Sequence, residues 1–493
     1  TAYREGHISY DLNGNIQHLE RAGENDVLPM DNLGYTYLGN QLQTVTDSGD
    51  KTKGFSDGSV SNDYVYDANG NMIVDRNKLI DAITYNHLNL PEKVTKSNGQ
   101  YIKYTYDASG RKLSQSVYNA TDVLQKRTDY VGEFFYENDA LKFINHEEGR
   151  VVMTSGTPEY QYNLKDHLGN VRLTFTTKDE TESAIATMET ENTATERSEF
   201  IYYDEAVKVH SGIFDHTNDG KVPSMEKDYA VLLRGGTSEK YGLAKSLSVM
   251  PGDVVKVEVF AKYLDRTTNG NWGADFAGLV NDITANTPGV VIDGGSAGSI
   301  GNFTFPYAGL ITKDNQTAGP PKAYLNFIVF NRNDEPVDFG FLRVSEAAAE
   351  NGTNVAHERL FKDNLLIREP GYVYIYLSNE NETLVDVFFD DFKVEHVKSP
   401  VVQVDDYYPF GLPYNSYSRE NTTPNKWRFQ GQEHVDDLGL NWDGFKWRNH
   451  QPDIGRFFNI DPMASAFYYN SPYAFSENKV TTHVELEGLE AFY

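Results

Sequence analysis

The 493-residue sequence contains no cysteine, which excludes disulfide bonds and thiolate metal sites. It also lacks an apolar run of about 18 residues, the length that a membrane-spanning helix requires. Basic residues are scarce, because 44 Lys and Arg stand against 72 Asp and Glu, giving a net charge of −28. This charge argues against binding to nucleic-acid phosphates and fits a soluble surface or a basic partner.

What the sequence has in abundance is aromatic residues, with 33 Tyr and 27 Phe. Aromatic side chains favour half-buried pleated surfaces, so the composition predicts an all-β fold. The length allows two to four domains. The chain opens at Thr1 without a signal-peptide pattern, which predicts a processed or excised piece of a longer protein.

A degenerate repeat runs through the first 175 residues. Each unit has an alternating segment that ends in tyrosine, then a polar turn, then a second apolar segment. The units begin at ISYDLNGNI (8–16) and contain as their marker tyrosines Tyr10, Tyr37, Tyr66, Tyr85 and Tyr106. The turns combine Asp or Asn with a glycine suited to positive φ, so each unit is predicted to be a β-hairpin. An ordinary antiparallel sandwich is the alternative, but five units favour a repeat array.

These units resemble the YD repeats of the RHS family. The resemblance is strong again at 166–172, where DHLGNVR matches a family signature, and at 405–411, DDYYPFG. In that family the hairpins wind into a spiralling antiparallel sheet that closes as a hollow cocoon. The resemblance implies a β-shell over residues 1–175 and 399–425. His167 is interpreted as part of a tight turn in the wall, with a catalytic role as the alternative.

Between these two shell segments the pattern changes. Residues 176–199 are charged and rich in threonine, which predicts a solvated linker or an exposed helix. Residues 200–398 contain short strand patterns separated by turn-rich loops, which predict a β-sandwich inserted in the shell. This region resembles carbohydrate-binding modules and galactose-binding-like jelly rolls, whose members bind glycans and often hold a structural calcium ion.

That second resemblance implies two ligand sites. Hard oxygen ligands suited to calcium are supplied by Asp215, Asn218, Asp219 and Asp390 or Asp391. A plain turn with solvent-facing acids is the alternative for these residues. A sugar-stacking platform is offered by Tyr263, Trp272 and Phe276, which would otherwise belong to the core.

Residues 426–489 resemble the RHS-associated core domain. Five submotifs occur in the family's order: FQGQE (429–433), DLGLN (437–441), RNHQPDIGRF (448–457), NIDP (459–462) and SPYAF (471–475). In RHS toxins this domain plugs one end of the cocoon. It also works there as an aspartyl autoprotease that frees a variable C-terminal toxin.

The resemblance assigns the catalytic carboxyl groups to Asp461 and Glu485 and supporting roles to Arg448 and Arg456, with cleavage after Leu489. Residues 490–493 would then begin the variable segment. The sequence departs from the family pattern in three places. Glutamate replaces an aspartate at 485, Leu486 replaces a proline, and Gln451 replaces another aspartate. A longer carboxylate without its conformational lock favours a structural plug over a working protease.

The sequence therefore predicts an all-β protein: a spiralling YD-repeat shell with an inserted β-sandwich and a core-domain plug. The expected function is a secreted or cell-surface bacterial shell that encapsulates or presents a C-terminal, toxin-like cargo. Its expected partners are that cargo or upstream RHS sequence, and secretion machinery. Self-cleavage after Leu489 and glycan binding through the sandwich, as an adhesin, are the two alternatives.

Overall fold

The computed structural model describes residues 3–24, 28–58, 62–154, 156–217, 227–237, 240–264, 291–292, 295–296, 320–350 and 355–492. The fold is all-β and consists mainly of antiparallel sheets, as predicted. The chain divides into two compact units. Unit 1 comprises Thr1–Lys178, Val402–Ser418 and Thr422–Tyr493, and unit 2 comprises Asp179–Val401 and Arg419–Asn421. Among the described residues, no helix has the length and apolar character needed to cross a membrane.

Unit 1 begins with two antiparallel sheets whose strand order follows the chain. The first sheet contains β1 (Arg4–Tyr10), β2 (Ile16–Ala22), β3 (Asp31–Leu38) and β4 (Gln41–Asp47). The second sheet has fourteen strands: β5 (Tyr64–Tyr66), β6 (Met72–Asp75), β7 (Ile80–Tyr85), β8 (Pro91–Lys96), β9 (Tyr101–Tyr106), β10 (Lys112–Tyr118), β11 (Leu124–Val131), β12 (Phe134–Glu137), β13 (Ala140–His146), β14 (Gly149–Thr154), β15 (Thr157–Lys165), β16 (Val171–Thr176), β29 (Val401–Val404) and β30 (Tyr417–Ser418). We call these two sheets the wall.

The predicted hairpin repeat is confirmed by the strand registers. Four of the five marker tyrosines end the first strand of a hairpin and face the start of the second, as in the pairs Tyr10–Ile16 and Tyr66–Met72. Tyr37 lies one residue before the end of its strand and faces Leu42, the second residue of the next. A register shift accompanies the marker in all five units. In the turn at 67–71, Oδ1 of Asp67 accepts the backbone N–H groups of Asn69 and Asn71, as in an Asx turn.

The marker tyrosines connect each hairpin to the one before it. The hydroxyl of Tyr37 donates to the carbonyl of Ile16 at 2.6 Å, and that of Tyr106 donates to Pro91 at 3.0 Å. The hydroxyl of Tyr85 donates in the same way to Met72. In each case the acceptor is the residue that faces the previous marker. The rings therefore fix the spacing of successive hairpins along the wall.

The closing segment, residues 426–489, packs against one face of the wall. Its regular elements are short: β31 (Glu433–Val435), β32 (Trp442–Gly444), β33 (Asn449–Gln451), β34 (Arg456–Phe457), β35 (Val484–Leu486) and three 3₁₀ turns at Phe429–Gly431, Asp437–Gly439 and Ser476–Asn478. One apolar core joins Ile83, Val94 and Ile102 of the wall to Trp442, Phe457 and Phe475 of the segment. The segment continues into β36 (Glu490–Phe492), which pairs with β35.

Unit 2 contains the predicted β-sandwich, with two sheets around one core. The first sheet contains β17 (Glu180–Ala186), β18 (Val207–His210), β19 (Tyr229–Arg234), β21 (Val254–Tyr263), β26 (Glu358–Leu366) and β28 (Asp386–Lys398). The second contains β20 (Tyr241–Val249), β24 (Ala323–Asn331), β25 (Pro336–Arg343) and β27 (Gly371–Asn379). Elsewhere in the unit lie the pair β22 (Val291–Ile292) and β23 (Gly295–Ser296), the helix α1 (Thr193–Glu199) and 3₁₀ turns at Thr190–Asn192 and Glu346–Ala348.

The linker predicted for 176–199 is wrong in its first half. β17 pairs with β28 over its whole length, and its Ala184 and Ala186 are buried in the sandwich core. Glu180 and Glu182, two of the charges that suggested a solvated linker, precede these alanines in the same strand and are ion-paired with Lys398 of β28. The helix predicted as the alternative is present as α1.

A pair of tyrosines in β9 tests whether the marker hydroxyls stabilise the wall. Tyr106 donates to Pro91, whereas the hydroxyl of Tyr104 is buried and has no hydrogen-bond partner among the described residues. Tyr104 lines a cavity of about 480 Å³ in unit 1. We expect Tyr106→Phe to lower the free energy of unfolding by about 1 kcal/mol, because it removes a formed hydrogen bond.

Tyr104→Phe is the matched control and should leave stability unchanged or raise it, because it removes an unsatisfied polar atom. Three of the four tryptophans, Trp427, Trp442 and Trp447, lie in unit 1, so tryptophan fluorescence during urea unfolding follows that unit. Equal losses in the two variants would show that the marker hydroxyls contribute nothing specific.

Candidate active site

Three of the four predicted catalytic side chains meet inside the closing segment. Nη2 of Arg448 lies 3.0 Å from Oε1 of Glu485, and Nη1 lies 3.4 Å from Oδ2 of Asp461. All three side chains are at most 8% exposed. The guanidinium also lies over the ring of Phe457, 3.9 Å from its centroid. One arginine therefore holds two carboxyl groups in an apolar environment.

Backbone amides complete the surroundings of both acids. Oε2 of Glu485 accepts the N–H of Ser476 at 2.7 Å, and Oδ1 of Asp461 accepts the N–H of Met463 at 2.7 Å. Ser476, Glu477 and Asn478 all have positive φ, between 44° and 61°. Left-handed backbone in three consecutive non-glycine residues is strained, and such strain is concentrated at functional sites. Nothing in the sequence around Ser476 indicated this role.

Burial and neighbouring opposite charges shift the pKa values of Glu485, Asp461 and Arg448 in opposite directions. Burial raises the pKa of Glu485 and of Asp461 above the ordinary range, although the nearby Arg448 guanidinium lowers both. Like-charge repulsion from Asp461 raises the pKa of Glu485 further. Burial likewise lowers the pKa of Arg448 against the pull of the two acids. Both acids therefore have raised pKa values at one buried site.

The predicted cleavage position lies in the hairpin turn between β35 and β36. Nε of Arg448 donates to the carbonyl of Gly488, so the same guanidinium contacts both acids and the peptide group between Gly488 and Leu489. The N–H of Leu489 donates to Leu486 across the turn at 2.9 Å. The predicted scissile bond, from Leu489 to Glu490, is the next peptide bond. Residues 490–492 are paired with the closing segment as β36.

Arg456, the fourth predicted residue, is outside this cluster. Its Nη2 donates to the carbonyl of Asn40, and its guanidinium lies between the rings of Tyr37 and Tyr473 at about 5 Å. Arg456 therefore binds the wall to the closing segment and does not contact either acid. An arginine suits this position because its N–H groups can donate to a carbonyl while the flat face of the guanidinium stacks on aromatic rings.

Gln451, which stands where the RHS pattern has an aspartate, contacts the wall. Its Nε2 donates to Oδ2 of Asp75 at 2.8 Å, and both side chains are buried. Burial raises the pKa of Asp75 to about 6. A carboxylate at position 451 would place a second negative charge against this acid, whereas an amide can donate to it.

His167, His434 and His450 of unit 1 have structural surroundings. Asp166 and His167 belong to a wall turn: Oδ1 of Asp166 accepts the N–H of Leu168, and His167 contacts the carbonyl of Thr481. In the closing segment His434 and His450 flank the buried carboxylate of Asp443, at 2.9 and 3.3 Å. Although burial raises the pKa of Asp443, its hydrogen bonds with the two imidazoles lower it to about 2.

The ligand sites predicted for the sandwich are only partly within the described residues. Tyr263 is 1% exposed in the core of unit 2, so its ring offers no surface to a sugar. Its neighbours in the predicted platform, Trp272 and Phe276, lie outside the described residues. The predicted sugar platform is therefore wrong for Tyr263. This residue is the last of β21 and packs into the sandwich core, which was the alternative for it.

Only some residues of the predicted calcium site lie within the described part of the chain. Asp215 and Asp390 are both buried, and Oδ2 of Asp390 accepts the backbone N–H of His216 at 2.6 Å. Burial raises the pKa of Asp390 well above its usual range, and the charges of Asp391 and Asp215 add to this. Asn218 and Asp219 lie outside the described residues. Within the part of the chain that the structure describes, no group of three or more acidic or histidine side chains could hold a metal ion.

Comparison with known proteins gives similarities of limited extent. No family model matches the chain. A 121-residue stretch is 34% identical to salivary gland surface protein 1 of Aedes aegypti; it covers 24% of this chain and 3% of that protein. Similar structures include TcdB2–TccC3 without its hypervariable C-terminal region, at a TM-score of 0.22 and 12% identity, covering 99% of this chain and 24% of that one. A Photorhabdus luminescens Tc holotoxin pore follows at 0.19, with 12% identity and coverages of 99% and 21%.

The central arginine gives a pH-dependent test of the acid cluster. Arg448→Met should lower the free energy of unfolding by roughly 3–5 kcal/mol at pH 8, because it leaves two buried carboxylates without their cation. The pKa values of Glu485 and Asp461 are already raised in the folded state, and the variant raises them further. Their charged forms therefore destabilise the fold as pH rises, so the loss should be clearly smaller at pH 5.

Urea unfolding followed by tryptophan fluorescence at pH 5 and pH 8 measures both effects. Arg111→Met is the control, since Arg111 pairs with Asp107 in an exposed turn and should contribute little at either pH. A loss for Arg448→Met that does not change with pH would contradict the proposed electrostatic origin.

Proposed function

We propose that unit 1 is a section of an RHS-type shell whose closing segment seals the wall and encloses or presents a C-terminal cargo. The observation that carries this proposal is the shared core between the wall strands and residues 426–489. A plug must be held by the wall along much of its length. The core that the closing segment shares with the wall includes residues from successive hairpins of both sheets, from Ile16 to Val117.

Buried arginines support the same function. Arg21 of β2 is ion-paired with Glu5 and Asp31 and also donates to the carbonyls of Pro452 and Asp453 in the closing segment. These bonds join the first wall sheet to a segment more than 400 residues later in the chain. Breaking one partner of such a buried network is costly, which suits a plug that must stay closed.

The partners and location of the protein follow as parts of this proposal. The cargo would be polypeptide that continues from the closing segment, and upstream RHS sequence would complete the wall. Export by secretion machinery to the bacterial cell surface or medium would bring the shell to its target. The negative surface of the chain suits a basic cargo.

Protection from proteolysis tests the shell. A disordered tail carrying one protease site is fused after Tyr493 in one version of the protein and before Thr1 in another. We expect the C-terminal tail to be cut several-fold more slowly, because it would follow the plug into the enclosed side. Arg21→Met should abolish this difference by loosening the closing segment. Equal cutting of both tails in the unmodified chain would overturn the shell proposal.

We propose self-cleavage as a second function, favoured by the meeting of Asp461, Glu485 and Arg448 beside the Gly488 carbonyl. Glu485 accepts both a guanidinium and an amide hydrogen bond, which favour its charged form. Asp461 is less firmly held and would exchange the proton that activates water. Arg448 would stabilise the negative charge that develops on a nearby carbonyl oxygen.

Intact mass spectrometry tests this reaction in the 493-residue chain. We expect slow loss of residues 490–493, faster near pH 5 than at pH 8 because one acid must be protonated. Asp461→Asn should remain intact, whereas Asp436→Asn, on the exposed side of the same segment, should cut normally. An unmodified chain that stays intact at every pH would reject self-cleavage and leave the shell proposal standing.

A further inference from the structure

A line of hydrogen bonds runs from a wall turn to the acid cluster, entirely within unit 1. In the turn at 166–170, Oδ2 of Asp166 accepts from Nδ2 of Asn170 at 2.8 Å. Oδ1 of Asn170 accepts the backbone N–H of Gln430 at 2.8 Å. Oε1 of Gln430 then accepts the backbone N–H of Glu485 at 2.9 Å. The next group along is the carboxyl of Glu485 itself, bound to Arg448.

Each connecting residue is buried, with exposures of 4% for Asn170, 7% for Gln430 and 3% for Glu485. Hydrogen bonds in such surroundings are strong, and an unmade one is costly. Gln430 also has a φ of 48°, a left-handed conformation that a non-glycine residue holds only when its surroundings impose it. The bond from Asn170 to the backbone of Gln430 is one such constraint. The position of Glu485 therefore depends on a contact made by the wall.

We propose that Gln430 is a positioning residue for the acid pair, and that docking of the 166–170 turn permits self-cleavage. Before β15 and β16 form and present Asn170, Gln430 would relax and Glu485 would lose its alignment with Arg448. Cutting would then wait for this part of the wall to fold. The inference rests on the self-cleavage proposed above, and it adds the regulation of that site.

The reaction itself is hydrolysis and consumes one water. The water oxygen forms a bond to the carbonyl carbon of Leu489, and the bond from that carbon to the nitrogen of Glu490 breaks. One water proton passes through the carboxyl pair to the leaving amine, and the other stays on the new carboxyl group until it ionises. Gln430 and Asn170 exchange no proton and touch no reacting atom.

The test follows the cutting rate of the full chain by intact mass spectrometry. Asn170→Ala and Gln430→Met should each slow cutting by roughly tenfold or more, since small displacements of a catalytic group are costly. Asn71→Ala is the matched control. It alters the same kind of turn, between Asp67 and Asn71, and is equally buried, but its contacts do not lead to Gln430. This control should cut at the rate of the unmodified chain.

Gln430→Glu provides a readout that a loss of packing would not give. When protonated, the new side chain keeps the acceptor for the Glu485 amide, so this variant should match the unmodified chain at acid pH. It should fall behind as pH rises and a second carboxylate forms beside Glu485. Hydrogen exchange at the Glu485 amide gives a measurement independent of cutting, and it should be faster in Asn170→Ala than in Asn71→Ala.

Two failures are distinguishable. Cutting of Asn170→Ala and Gln430→Met at the unmodified rate, or unchanged exchange at Glu485, would overturn the positioning role and leave self-cleavage in place. An unmodified chain that never cuts would overturn self-cleavage and this inference with it.

Discussion

The wall depends on a hydrogen bond from a tyrosine hydroxyl to the backbone of the preceding hairpin. A two-stranded hairpin is barely stable alone, and neighbouring hairpins can slip in register unless something fixes them. Tyr37, Tyr85 and Tyr106 provide this by reaching the carbonyls that face the previous marker, and the Tyr66 phenol is hydrogen-bonded to the backbone of Leu42. The Tyr66 contact joins the first sheet to the second. At these four positions tyrosine meets a repeated structural need, since phenylalanine would fill the space without fixing the register.

In the closing segment, hydrogen bonds from arginine side chains to backbone carbonyls have the role that the tyrosine hydroxyls have in the wall. This segment has little regular structure, so many of its backbone carbonyls lack the partners that a sheet would supply. Two buried arginines donate to such carbonyls: Arg21 of the wall to Pro452 and Asp453, and Arg448 to Gly488 and Pro472. Two more donate to carbonyls outside the segment: Arg150 to Thr423 and Pro424, which precede it, and Arg456 to Asn40 of the wall. The five donors of a guanidinium suit an irregular backbone better than a lysine would. Basic residues are scarce in this acidic chain. Their scarcity strengthens the inference that these buried arginines are placed for their contacts with backbone carbonyls.

The repeats, the turns and the sandwich could be predicted from the sequence because each follows from local periodicity and turn chemistry. The strand β17 could not, because its first half carries the charged Glu180 and Glu182 and only two small buried residues, Ala184 and Ala186, follow them. Arg448, Asp461 and Glu485 were predicted from motif positions, and they do meet. Arg456 was grouped with them on the same basis, although it contacts Tyr37 and Tyr473 instead. Gln430 was not singled out within the FQGQE submotif, and only its three-dimensional contacts with Asn170 and Glu485 reveal its place.

The departures from the family pattern acquire a physical explanation from their neighbours. Gln451 faces Asp75, which burial already makes reluctant to ionise, so an amide there avoids a second buried charge. The longer side chain at 485 reaches both the Arg448 guanidinium and the N–H that strained Ser476 presents. Those two donors favour an ionised Glu485, while Asp461 is held by a single amide and a longer contact to Arg448. The two acids therefore lie in unequal surroundings, and this asymmetry is what the proposed acid–base chemistry would use, although one acid is longer and a leucine stands where the RHS pattern has a proline.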